Sequence, residues 1–117
     1  MIIPRTIYAL RHNPTGRIYV GSSKNVKLRA MSHLYNLRSS KHPNLAMQED
    51  FDRYGEDYTC YVLERIETYA HRNHEYLWME ALHTRDPEHG YNFKDQKAEF
   101  DLENRKTIEL EGRKTNL

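Results

Sequence analysis

Cysteine occurs once in the 117 residues, at Cys60, which excludes an intrachain disulfide and any cysteine-based zinc cluster. A lone thiol is consistent with a reducing compartment such as the cytoplasm. No apolar run approaches the roughly 18–20 residues needed to span a bilayer, so no membrane association is expected. The opening MIIPRTIY sets a proline and an arginine where a signal peptide needs its apolar stretch, which argues against secretion. Internal repeats and low-complexity segments are also lacking. Such a length fits one compact soluble domain with a modest core and a short appendage.

Acidic residues are missing from the first 48 positions, which carry eight Lys or Arg (+8) and three histidines, His12, His33 and His42. Residues 49–92 hold four basic and eleven acidic residues (−7), and residues 93–117 hold six of each, which gives the overall +1. An acid-free basic segment can neutralise phosphates on one side of a fold. Alternatively, the fold mixes it with the acidic segment and no patch results, since a sequence block need not become a surface.

Two short runs rich in aromatic and β-branched residues, 5–12 (RTIYALRH) and 17–21 (RIYVG), flank Asn13-Pro14-Thr15-Gly16. Proline presets φ and glycine tolerates φ > 0, so a β-hairpin is expected, its second strand ending at Gly21-Ser22-Ser23. A helix follows from about Asn25 to Ser39, with Leu28, Met31 and Tyr35 at helical spacing toward a core and Leu34 able to join them. A second helix starts at Pro43 and stops at Tyr54-Gly55. Residues 58–64 read as a third strand, and Thr68 to about His83 as a third helix with Trp78, Met79 and Leu82 inward. Asp86 to Gly90 form a loop, and Gly90-Tyr91-Asn92 a turn back to the body. The order β-β-α-α-β-α defines an α+β domain with a small antiparallel three-stranded sheet flanked by helices. The domain is placed at 1–93. The charged tail, 94–117, is compatible with one short helix that docks Phe100, Leu102, Ile108 and Leu110, or with partial disorder.

Three local features carry chemistry. Tyr8 and Tyr19 lie on the two hairpin strands. Arg29 and His33, at i and i+4, share one helix face, where a planar phosphate-binding fork meets a group that moves protons near neutral pH. Glu75 falls within the apolar stripe of Trp78, Met79 and Leu82, and a carboxylate there needs a cation, either a divalent metal or an arginine. A structural Glu75–Arg29 ion pair, with both tyrosines as ordinary strand aromatics, satisfies the same spacing. His71, His74, His83 and His89 show no metal-ligand spacing and are read as surface polar residues. Trp78 is assigned to the core, and Tyr35, Tyr54, Tyr58, Tyr61, Tyr69 and Tyr76 to core or half-buried positions.

The same residues carry a family likeness. Thr6-Ile7-Tyr8 and Tyr19-Val20-Gly21 resemble the two motifs that name the GIY-YIG nucleases, with Thr6 in place of the first glycine and Val20 in place of isoleucine. Arg29-Ala30-Met31-Ser32-His33 resembles the family's helix motif, Glu75-Tyr76-Leu77-Trp78-Met79 its glutamate helix, and Gly90-Tyr91-Asn92 its closing segment. The stretch from His42 to Leu63 is similar to that of phage-type homing endonucleases, and the resemblance covers about residues 5–93.

The resemblance implies a metal-dependent DNA endonuclease. Glu75 would hold one Mg²⁺ or Mn²⁺, Arg29 would bind a phosphate oxygen, and Tyr19 is the first choice for taking a proton from the attacking water, its ionised form favoured by the metal, Arg29 and Lys24. His33 would relay that proton or orient Tyr19, and Tyr8 would position water or phosphate. Lys24, Lys27, Arg38, Lys41 and His42 are candidate DNA contacts, His42 being a further candidate for the site itself. Gly21 and Asn92 are expected to support the site structurally. The implied partner is double-stranded DNA, in the host cytoplasm for a phage-encoded enzyme. One site cuts one strand, so a double-strand break needs a dimer or two events. Specificity would come from the domain and tail, from a protein partner, or from a longer protein of which the chain is a fragment. The rival reading is a non-catalytic DNA-binding module that retains the fold.

Overall fold

The computed structural model describes residues 4–67 and 70–92, and the backbone alone at 110–112 and 114–116. Strands β1 (Arg5–His12) and β2 (Ile18–Ser23) form the expected hairpin. Its turn is closed by Gly16 N–H donating to the His12 carbonyl at 2.7 Å, with Gly16 at φ +77°. The second strand runs past Gly21, because Ser22 and Ser23 still pair with Ile7 and Thr6. Helix α1 (Val26–Arg38) starts where the Asn25 side chain accepts from Leu28 N–H, a direct N-cap. Helix α2 (Leu45–Tyr54) starts later than Pro43 predicts, because Asn44 is the cap, accepting from Met47 N–H. It stops at Gly55, φ +91°, as expected. Strand β3 (Tyr58–Ile66) exceeds its expected end by two residues, and helix α3 (His71–Leu82) ends at His83 in the left-handed region.

The fold is α+β, a three-stranded antiparallel sheet of order β2-β1-β3 with three helices. Both faces of the central strand are covered, so Ile7, Tyr8, Ala9 and Leu10 are all buried. Tyr8 and Leu10 pack with Leu37, Met47 and Tyr91 beneath α1 and α2. Ile7 joins Val20 and Ile66, against Trp78, Met79 and Leu82 of α3 as expected.

The face of α1 differs from expectation. Leu28, Met31 and Tyr35 are 61%, 54% and 69% exposed, while His33 and Leu37 are buried and Val26 and Leu34 pack on the core. Val26, Ala30, His33, Leu34 and Leu37 form a second helical stripe, masked by its central histidine. That stripe faces inward because both ring nitrogens of His33 find partners, which removes the cost of burying it. Tyr54 and Tyr61 are likewise more exposed than expected, at 51% and 46%.

The tail assignment lies largely outside the described residues. Leu110–Gly112 and Lys114–Asn116 pair as short antiparallel strands β4 and β5, so Leu110 lies in a strand and not in a helix. Gly112 would interrupt a helix there.

Candidate active site

The β1–β2 register sets the site. Tyr8 lies opposite Gly21 and Leu10 opposite Tyr19, and period-2 alternation turns all four positions toward α1 and α2. The tyrosine ring centroids are 6.3 Å apart. Gly21 leaves the space they need, since a Cβ there would sit 2.8 Å from Tyr8 Oη and 2.9 Å from Tyr19 Cε2.

His33 meets the hairpin from α1. Its Nε2 is 2.8 Å from Tyr8 Oη and its Nδ1 is 2.8 Å from His42 Nε2. The Asn44 backbone N–H donates to His42 Nδ1 at 3.0 Å. Tyr19 packs edge-on to the His33 ring at 5.0 Å between centroids. Burial, then the Arg29 charge, then His42 pull the His33 pKa down to about 3. Burial and Arg29 also lower that of His42, so both imidazoles are neutral at neutral pH.

Arg29, one turn before His33, acts with its charge on both phenols. Burial raises the Tyr8 pKa, and Tyr19 raises it further. Burial likewise raises the Tyr19 pKa, with Glu75 adding to the effect, while the Arg29 charge pulls both phenols the other way. Both tyrosines therefore keep their protons in this state.

Glu75 reaches the same end of β2 from α3. Ser22 alternates with Val20 onto the α3 face, and its hydroxyl donates to Glu75 Oε2. Glu75 and Arg29 thus do not form the structural ion pair that spacing alone left open. A hard divalent cation is commonly held through one or two carboxylates, with substrate phosphate and water completing its shell. One partly buried carboxylate near a guanidinium fits that donor set once a phosphate arrives. A separate exposed group, Asp86, Glu88 and His89, has ligand-capable atoms within 4.8 Å of one another. His89 pairs with Ile18, at the opposite end of β2 from Ser22, so this group lies away from the site.

Asn92 braces β2, accepting from Val20 N–H at 2.8 Å and donating to the Val20 carbonyl at 3.0 Å. Below the site, Asp50 accepts from Arg17 at 2.9 and 3.0 Å and from Tyr91 Oη at 2.7 Å. This network joins the β1–β2 connection, α2 and the closing segment.

Lys24, Lys27, Arg38 and Lys41 are exposed, as phosphate contacts would be. Arg38, however, is held in a two-pronged pair by Glu56, and Arg17 by Asp50, so the fold partly mixes the basic and acidic segments. His42 is buried at 5% exposure and belongs to the histidine chain, not to an open DNA-binding surface. Sequence reasoning missed Ser22 and Asn44. Ser22 meets Glu75 across 53 residues and leaves no local signal. Asn44 after Pro43 carries a helix-cap signal that identifies its structural role, though not its contact with His42.

A family model described as the GIY-YIG catalytic domain matches residues 4–111. Over 91 residues the chain is 29% identical to Intron-associated endonuclease 1 of Enterobacteria phage T4, covering 76% of this chain and 36% of that protein. The chain therefore spans well under half the length of that relative. The solved structure of the catalytic domain of homing endonuclease I-TevI is similar with a TM-score of 0.67 and 25% identity, over 74% of this chain and 95% of that one. A mutant of the catalytic domain of intron endonuclease I-TevI shares the fold with a TM-score of 0.66 and 24% identity, over 74% and 91%. Fold and site define a small α+β nuclease-type domain. The chain belongs to the GIY-YIG catalytic domain family.

Proposed function

We propose that the chain acts as the catalytic domain of a metal-dependent DNA endonuclease of the phage or mobile-element homing type, with double-stranded DNA as substrate. The observation that carries this reading is the convergence of Tyr8, Tyr19, Arg29 and His33 with the Ser22-held Glu75 at one end of the hairpin. Two phenols, a guanidinium, an imidazole and a carboxylate gathered at one hairpin end are more than a packing core requires.

Glu75 is the ligand for one Mg²⁺ or Mn²⁺, which when bound supplies Lewis acidity at the scissile phosphate. Arg29 binds a phosphate oxygen and offsets the charge that builds there in the transition state. It also favours the ionised form of Tyr19 and Tyr8, which burial opposes. Tyr19, once it has given up its own proton to solvent under the charge of Arg29, takes the proton of the attacking water, and Tyr8 orients water or phosphate. Exposed Lys24, Lys27 and Lys41 attract the backbone, and Arg38 joins them when phosphate displaces Glu56. Residues 1–93 are the catalytic unit, with 94–117 as an appended tail. One site nicks one strand, so a break in both requires a dimer, a protein partner or a second event. No described helix is long and apolar enough to cross a membrane, and we place the activity in the cytoplasm, the host's if the protein is phage-encoded.

A plasmid-nicking assay with Mg²⁺, run beside Glu75→Ala and Arg29→Ala, tests this. Wild-type nicking that needs the metal and falls by at least about 100-fold in both variants is expected. DNA binding without metal-dependent cleavage would replace the enzyme with a binding module, and undiminished cleavage by Glu75→Ala would remove Glu75 as the ligand.

A further inference from the structure

The Tyr8–His33–His42 chain ends on a group whose hydrogen-bonding direction is fixed. A backbone N–H can only donate, so the Asn44 amide leaves His42 Nδ1 as the acceptor, a lone pair without a proton. A neutral imidazole carries one proton, and that proton of His42 must sit on Nε2. His42 Nε2 faces His33 Nδ1 at 2.8 Å, so it donates there and makes His33 Nδ1 an acceptor in turn. The single proton of His33 is thereby placed on Nε2, which faces Tyr8 Oη at 2.8 Å. The direction set at Asn44 passes through two rings and arrives at the phenol as a donated hydrogen.

Asn44 is suited to hold this end. Its side-chain oxygen caps α2 by accepting from Met47 N–H at 3.1 Å, and its side-chain amide donates to the Tyr91 carbonyl at 2.9 Å. The His42 backbone N–H is tied to Gln48 Oε1 at 3.1 Å. The two ring centroids lie 5.1 Å apart with 18° between their planes. Three attachments on Asn44 and one on His42 keep the end of the chain from turning over.

We propose that His42 is a positioning residue which, locked by the Asn44 amide, fixes His33 as the hydrogen-bond donor to Tyr8. This rests on the reading of Tyr8 as part of a nuclease site, and it changes what His33 can do there. His33 has no free lone pair: one nitrogen accepts from His42 and the other holds a proton toward Tyr8. It is therefore not a proton acceptor from Tyr8. It places positive hydrogen against the phenol oxygen, and the Arg29 charge acts on the same phenol. The Tyr8 hydroxyl hydrogen is left to point toward the substrate, and negative charge on that oxygen is favoured without a proton entering the histidine chain.

The test reads imidazole tautomers directly by long-range ¹H–¹⁵N NMR on the full chain at neutral pH. The expected result is that His33 and His42 both carry the proton on Nε2. A proton on Nδ1 of His33 would overturn the proposal, whatever the activity. His42→Gln presents an amide oxygen to Asn44 and an amide donor to His33, so it keeps the His33 tautomer. His42→Glu presents acceptors only and reverses it. With folding checked by the amide NMR fingerprint, nicking by His42→Gln is expected within about threefold of wild type, whereas His42→Glu lowers kcat about 10–100-fold with KM for DNA little changed. Equal activity of the two variants, with the tautomer reversed in one, would show that the donor direction has no effect on cleavage. Inactivity of the wild type with Nε2 protons in place would instead remove the nuclease reading and leave the tautomer lock standing.

Discussion

Tyr8 Oη stands 2.8 Å from where a Cβ on Gly21 would lie. Gly21 is not at positive φ, so its value is spatial and not conformational. Gly21→Ala is expected to push both tyrosines from their contacts with His33. Its cost is about 1–3 kcal/mol, the range for overpacking a close-packed site, together with a large loss of nicking. Urea unfolding and the nicking assay check this, and an alanine variant with unchanged midpoint and rate would refute the spatial account.

Ser22 orients the carboxylate on which the metal reading depends. Ser22→Ala should weaken apparent Mg²⁺ affinity by about 10–100-fold, the usual effect of removing a group that orients a ligand. A Mg²⁺ titration of nicking should show the rate partly recovering at high metal. A titration curve that overlays the wild type would assign the serine no role.

Stability should fall on mild acidification. The His33 pKa drops from 6.5 to about 3 in the folded state, and that of His42 drops too, so the unfolded chain binds protons first. Stability contributed by these rings is fully present above about pH 6.5 and is lost as pH falls toward 3, at up to about 1.4 kcal/mol per unit per ring. Urea midpoints between pH 7 and 5 read this, above the range where carboxylates titrate. A His33→Leu variant should show a shallower dependence, and an identical slope would contradict the buried neutral ring.

Asp50 accepts from both Arg17 and Tyr91, so Asp50→Ala leaves a guanidinium and a buried phenol without their partner. A loss of about 2–4 kcal/mol is expected from chemical denaturation, with Arg17 partly rehydrated by its exposure. A loss below about 0.5 kcal/mol would place the network outside the folding core.

The two apolar stripes of α1 offer a contrast. Leu28→Gln, Met31→Gln and Tyr35→Gln should each cost under about 0.5 kcal/mol, whereas Leu37→Ala should cost about 2–5 kcal/mol. Thermal or urea unfolding of the four variants separates the stripes, and the reverse ranking would restore the face that periodicity first suggests.

Those stripes also show what a sequence can convey. Turn chemistry at Asn13–Gly16, the stop at Gly55 and strand composition in 5–12 are local signals, and they placed the hairpin and the end of α2. The inward face of α1 was obscured because a histidine counts as polar until its partners are known, and those partners lie 25 and 9 residues away. Glu75 was visible as an acid on an apolar stripe, but Ser22, which holds it, bears no mark in its own neighbourhood. His42 read as either a site residue or a surface phosphate contact for the same reason. Residues tied to nearby backbone could be read early, and those defined by distant side chains could not.

Asn92 pairs with Val20 across 72 residues, using its side-chain amide as a strand would use its backbone. During synthesis the hairpin, α1 and even α3 emerge before that amide exists to fasten the outer edge of β2. The tyrosines and Arg29 would thus be present on a growing chain that still lacks its clasp. The outer edge of β2 is therefore fastened last, when the segment through Asn92 clears the ribosome.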